Sequence, residues 1–187
     1  MKAAEADLLL LPDLGGADDD HWQARWEERL STARRVHQDD WHQPDREAWV
    51  ARVLEEVAAA TRPVVLIGHG LGVLTAIHAA PRLPAGRVVA GFFVAPRDVD
   101  RNDPYTTMMA GFGPAPRDPL PFPAILVASH SDPTCSFETA EDYGYAWGTL
   151  VVDAGEAGHL DSHSGQGPWP EGSLTLGRIL SQIPSPR

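Results

Sequence analysis

Lysine and cysteine are almost missing from this chain: one of each is present, Lys2 and Cys135. A single cysteine excludes an internal disulfide and a cysteine-based metal site, and it suits a reducing compartment. A surplus of positive charge is missing too. Acidic residues outnumber basic ones by 26 to 15, for a formal net charge of −11, and no stripe of arginine breaks that balance. A phosphate backbone would be repelled by such a surface, which excludes nucleic acid as a partner. Long hydrophobic runs are also lacking. The early run Leu8 to Leu11 stops at Pro12-Asp13, too short for a membrane span and poor as the core of a signal peptide. The expectation is a soluble, cytoplasmic chain with no membrane partner.

What is present is an ordinary globular composition. Of the 187 residues, 43% are hydrophobic and 22% charged, so residues 1–187 are expected to form one domain with a core of its own. Short apolar runs alternate with stretches of helical period. Strands are expected at Asp7 to Leu11, Ala33 to His37, Val64 to Ile67, Val88 to Val94, Ala124 to Ala128 and Leu150 to Val152. Between them, Trp22, Trp26 and Leu30 share one helical face behind Asp18 to Asp20 as N-cap, and Asp45 opens a helix with Trp49, Val50, Val53, Leu54 and Val57 inward. Further helices are expected at Leu71 to Ala80, Phe137 to Trp147 and Ser173 to Ile183. Ala95 to Pro121 reads as a long surface loop with a short helix in it. About six alternations of strand and helix imply a three-layer α/β sandwich on a mostly parallel sheet.

In such sheets ligands bind beyond the carboxyl ends of the strands. The residues beyond those ends are, in order, Pro12-Asp13-Leu14-Gly15-Gly16, the turn Gly68-His69-Gly70-Leu71-Gly72, Ser129-His130-Ser131-Asp132-Pro133, and Gly155 to His159. A turn, then an acid, then a histidine is the chain order of the α/β-hydrolases, whose turn carries the nucleophile. Blander readings compete with this one. A dinucleotide loop at Gly68-x-Gly70-x-Gly72 fails at Val73. His159 and His163 with Asp161 as metal ligands lack a helix to align them, and Asp18 to Asp20 are explained by capping and solvation.

The chain resembles the small serine hydrolases related to YdeN and to retinoblastoma-binding protein nine. The matching pieces are His21-Trp22-Gln23, Asp40-Trp41, Pro44-Asp45, Trp49-Val50, Val94-Ala95-Pro96 and Leu120 to Pro123. They continue with Asp132-Pro133, Ala146-Trp147-Gly148 and Gly158-His159, ending in the run Ser164 to Gly172. The resemblance implies a serine hydrolase of small esters or amides, needing no metal or cofactor. It makes His159 the general base, Asp132 its orienting acid, and the Leu71 backbone N–H an oxyanion donor with Leu14 as the second. His69 and Trp169 are expected at the pocket.

One atom group is missing. The family's turn reads Gly-His-Ser-Leu-Gly, and here Gly70 stands where the nucleophilic serine belongs. Triad members act as a unit, so losing the hydroxyl implies a loss of acyl transfer by several orders of magnitude. Either a deliberate replacement or a natural loss gives such a sequence. Asp13 also departs from the family's usual glycine, and a carboxylate facing the oxyanion is harmful. Asp13 is therefore expected to point away, or the hole is altered. Asp161 replaces a frequent asparagine and would raise the His159 pKa if turned inward. Two alternatives remain open: a non-catalytic ligand-binding or scaffold protein, and acid–base chemistry by His159 on a water seated where the hydroxyl is missing.

Overall fold

The computed structural model describes residues 1–101 and 104–185. Asn102 and Asp103, within the expected surface loop, and the last two residues lie outside the described residues.

Six strands form one sheet in which every pairing is parallel: β1 (Asp7–Leu11), β2 (Ala33–Arg35), β3 (Val64–Gly70), β4 (Val88–Pro96), β5 (Ala124–Ala128) and β6 (Leu150–Asp153), in the order β2-β1-β3-β4-β5-β6. The order reverses at β1 and β3. Consecutive crossovers leave from opposite sides there, and a crevice opens at the strand ends. The helices are α1 (Trp22–Arg29), α2 (Arg46–Ala59), α3 (Leu71–Ala79), α4 (Pro104–Thr107), α5 (Phe137–Trp147) and α6 (Pro170–Gln182).

Alternation along the strands builds two cores. Leu9 and Leu11 point to the side of α2, α3 and α5, where Leu66, Phe93 and Leu126 join Trp49, Leu74 and Tyr143. Leu8 and Leu10 point to the side of α1 and α6, where Ile67, Phe92 and Val127 meet Trp22, Trp26 and Leu176. With both faces covered, β1 and β3 carry no outward polar side, which is why they read as unbroken apolar runs. Each such leucine contributes roughly 1.5–3 kcal/mol by leaving water.

Three local expectations are corrected. The cap of α1 is His21, whose Nδ1 accepts the Gln23 N–H, in place of Asp18 to Asp20. Asp18 instead accepts from the Asp20 N–H and the Ser162 hydroxyl. The segment after β4 is less of a surface loop than its prolines suggested, because Val99, Met109, Phe112 and Ala115 are buried in the core beside α2 and α3. The last helix starts at Pro170, since proline fits a first helical turn that needs no N–H.

At the β3–α3 junction, Gly72 lets the helix begin against the end of β1. A Cβ built there would lie 2.0 Å from the Leu11 carbonyl oxygen and 2.7 Å from that of Pro12. Gly72→Ala must therefore push α3 off β1, and urea unfolding should read a loss of about 1–3 kcal/mol or more.

Candidate active site

The site is built where β1, β3, β4 and β5 end. Gly70 closes β3 and caps α3 with φ +54° and ψ −117°, a backbone conformation that a side chain resists and glycine accepts. The first N–H of α3, that of Leu71, points out of the helix terminus, where partial positive charge favours an anion.

That anion is supplied by the chain itself. Asp13, just beyond β1, turns its carboxylate into the elbow: Oδ1 accepts the Leu71 N–H at 2.7 Å. A Cβ on Gly70 would fall 2.1 Å from the Asp13 Cγ and Oδ1. The carboxylate thus fills the volume that any side chain at position 70 would need. Of the two expected alternatives, Asp13 pointing away or an altered hole, the geometry takes the second: the oxyanion donor of the resemblance is engaged by a protein carboxylate.

Asp13 is held from three directions. Arg97, directly after β4, forks onto it, with Nε on Oδ1 at 2.7 Å and Nη2 on Oδ2 at 2.6 Å. His159 Nε2 lies 3.0 Å from Oδ2. On its other side, His159 Nδ1 meets Asp132 at 2.9 and 3.1 Å. Asp132 is fixed in turn by the backbone N–H and hydroxyl of Thr134, both at 2.8 Å. The structure so brings Asp13, Asp132 and His159 into one hydrogen-bonded row beside Gly70 and Leu71.

The row is buried, with side-chain exposure of 8% for His159, 7% for Asp13 and 3% for Asp132. Burial alone would push the His159 pKa down. Hydrogen bonds and charge from Asp13 and Asp132 overcome it and raise the pKa to about 9. Burial likewise works against the Asp13 charge, but Arg97 and His159 hold its carboxyl well below the usual carboxylate range. At neutral pH the row reads Asp132 minus, His159 plus, Asp13 minus, Arg97 plus. His159 carries protons on both nitrogens there and donates to both acids, so it is not poised as a base while Asp13 is ionised.

The loop bearing His159 is tied down at each end of the residue. Its carbonyl accepts from His69 Nε2 at 2.8 Å, and its N–H donates to the Ser164 hydroxyl, which donates to Asp161 at 2.7 Å. Leu160, at φ +54°, accepts the Trp22 Nε1–H on its carbonyl. His69 is wholly packed beneath His159, and burial drops its pKa to about 3, so it is a neutral donor and a support. Asp161 turns onto Ser164, and the raised His159 pKa comes chiefly from Asp13 and Asp132. Trp169 packs on Trp22, Trp26 and Phe92 and lines a groove between α1 and α6. Leu14 is half-buried with its side chain against the core. Cys135 is buried, and burial pushes its thiol well up, as suits an inert thiol.

Asp13, His69 and His159 offer donor atoms within 4.8 Å of one another, a spacing a metal ion would accept. The Arg97 fork and the doubly protonated imidazole already occupy the acceptor positions of Asp13, which sets that donor set against a cation. The residue that reading the sequence missed is Arg97. The rule used for the other strands, to inspect the residues just past the carboxyl end, also applies to β4 and points to it.

The sequence profile of the family described as serine hydrolase matches residues 8–178. The chain is similar to a YdeN-like hydrolase from Pectobacterium atrosepticum, at 34% identity over 96% of this chain and 94% of that one, with a TM-score of 0.86. It shares its fold with the YdeN gene product of B. subtilis, at 15% identity, 95% and 99% coverage and a TM-score of 0.78. It also shares it with the type II thioesterase BorB from the borrelidin biosynthetic cluster, at 18% identity, 94% and 90% coverage and a TM-score of 0.60. No curated protein matches. No helix among the described residues is long and apolar enough to cross a membrane.

The two directions of histidine shift set the pH response. His159, raised to about 9, adds stability that is full below pH 6.5 and is lost as pH rises through about 9. His69 and His21, lowered to about 3 and about 4, cost stability as pH falls below 6.5 because the unfolded chain then binds the protons. Urea unfolding across pH 5 to 10 should give a maximum near 6.5. Asp13→Asn should flatten the alkaline limb, and the His159 ring resonances in NMR should then titrate at lower pH.

Proposed function

Because the chain belongs to the serine hydrolase family, we propose that it is a member from which the acyl-enzyme route to small esters and amides has been removed. The single observation that carries this reading is the 2.1 Å approach between a Cβ at position 70 and the Asp13 carboxylate. Acyl transfer by this family's mechanism needs a hydroxyl at the elbow, a neutral imidazole to take its proton, and free N–H donors for the oxyanion. Here the hydroxyl is gone, the imidazole is held as a cation between two acids, and the Leu71 donor is spent on Asp13.

The same contact supports a natural history for Gly70. A serine at 70 requires the Asp13 carboxylate to leave its present place, so a lone laboratory replacement of an active serine would have to start from a differently placed Asp13. Glycine at 70 and aspartate at 13 form a matched pair, each meaningful only beside the other. Asp132 and His159 keep the geometry of an orienting acid and an imidazole, and Leu71 that of an oxyanion donor. The chain also keeps the order of the family's machinery with its attacking atom withdrawn.

Restoring the serine alone is therefore expected to fail. Gly70→Ser should stay unreactive to a fluorophosphonate probe and to p-nitrophenyl esters. Gly70→Ser combined with Asp13→Gly should gain covalent labelling and ester turnover, lost again on His159→Ala. Ester turnover by the unaltered chain that depends on His159 would overturn the reading. So would a folded double variant that remains inert, which would favour a non-catalytic binding protein instead.

A further inference from the structure

The geometry points to Asp13 as a nucleophile in its own right, one that attacks the sp3 carbon of a neutral haloalkane and is regenerated by water. This inference rests on the reading that position 70 takes no part in chemistry. It asks what the carboxylate that fills the place can do.

Carboxylates are established enzymic nucleophiles, and the two oxygens of Asp13 differ in the way that role requires. Oδ1 receives the Leu71 N–H and the Arg97 Nε–H, each at 2.7 Å. Two donors on one oxygen make an oxyanion site for whatever charge later gathers there. Oδ2 faces His159 Nε2 at 3.0 Å, and behind that ring stands Asp132 at 2.9 Å. The carboxylate thus presents one oxygen to a charge-stabilising cradle and the other to an imidazole oriented by a second acid. To attack, Oδ2 exchanges one of its two donors, Arg97 Nη2 or His159 Nε2, for the carbon. The Arg97 Nε and Leu71 contacts on Oδ1 keep the group aimed meanwhile.

Chemistry selects the substrate class. Attack on an acyl group would give an anhydride, more reactive than the ester it came from, and the step would reverse. A phosphate would approach a cluster in which Asp13, Asp132 and Asp161 outweigh Arg97 and His159. An epoxide needs an acid opposite the attacking oxygen, whereas His159, the acid in contact with Asp13, lies on the nucleophile's own side. A leaving group that departs without a proton from an uncharged alkyl carbon meets none of these objections. Half-buried Leu14 follows Asp13, and Trp41 lies against Gly16 of the same loop, so apolar side chains flank the loop that carries the carboxylate.

The steps balance. A lone pair on Oδ2 forms the O–C bond as the carbon–halogen bond breaks, and the halide leaves with that bonding pair. The ester oxygen no longer bears charge, so His159 keeps only Asp132 as an ionised partner and releases its Nε2 proton to solvent. A water then attacks Cγ and gives a proton to Nε2, while the negative charge collects on Oδ1 under Leu71 and Arg97. Collapse breaks the Cγ–Oδ2 bond, His159 returns its proton to the departing oxygen, and the water's second proton passes to Nε2 as the carboxylate reforms, which restores the resting cation. Haloalkane and water become alcohol, halide and a proton.

The test uses the full chain with 1-bromohexane. Wild-type protein should release bromide over many turnovers and Asp13→Asn should not. His159→Gln should accumulate one hexyl group per chain, placed on Asp13 by peptide mass spectrometry. In a single turnover of wild-type protein in water enriched in heavy oxygen, the label should enter the Asp13 carboxylate, because the alcohol takes its oxygen from Oδ2. This readout needs no substitution to fold. Absence of bromide release by the wild type, an adduct on another residue, or label passing directly into hexanol would each overturn the proposal. Such a failure leaves the fluorophosphonate result of the double variant untouched, so the two readings fall separately.

Discussion

The site depends on one constraint: four charges of alternating sign are buried in contact, and none can be removed alone. Asp132, His159, Asp13 and Arg97 form a row whose neighbours are always opposite. Burying an isolated charge is very costly, and breaking a buried pair by deleting one partner typically loses about 3–5 kcal/mol. Alternation lets each member sit in low dielectric with its hydrogen bonds made. It also fixes the protonation states, because two acids around one imidazole keep it charged and two cations around one carboxylate keep it ionised. The strand ends of β1, β4 and β5 and the loop beyond β6 are thereby joined through these side chains.

On the inference drawn above, aspartate at 13 beside glycine at 70 gives that arrangement a different use. A hydroxyl at an elbow needs a base to become a nucleophile, so an imidazole beside it must be neutral. A carboxylate needs no base, and the same imidazole can remain a cation until the acid beside it loses its charge. Moving the side chain from the turn after β3 to the loop after β1 thus keeps the imidazole and its orienting acid while reversing the order of proton transfers. Glycine at 70 is the steric condition for this and Arg97 the electrostatic one. His69, Ser164 and Trp22 hold the His159 backbone in place under either chemistry.

Much of the fold was legible in the residues. The bounds of β1, β5 and α5 come from Leu8 to Leu11, Ala124 to Ala128 and Phe137 to Trp147, since apolar run, period and cap all agree there. Asp45 was readable as a cap because its carboxylate meets an N–H three residues on, a local matter. The segment after β4 was misread because its prolines and charges signal a loop locally. Its burial comes from Val99, Met109 and Phe112 reaching α2 and α3, contacts that no local pattern reports. His21 displaced the nearby aspartates as cap because it is buried against His69 while they face solvent.

By itself the sequence determined the alternation of layers, the order of turn, acid and histidine along the chain, and the absence of a hydroxyl at position 70. These are properties of residue type, local period and succession, which a linear string carries in full. Only the tertiary structure decided where the Asp13 carboxylate points, that Arg97 answers it, and that His159 is a cation. Those facts depend on which strand ends become neighbours, across separations of 58 to 146 residues. The direction of a side chain and the charge on a ring are set by the groups brought against them in space, not by those beside them in the chain.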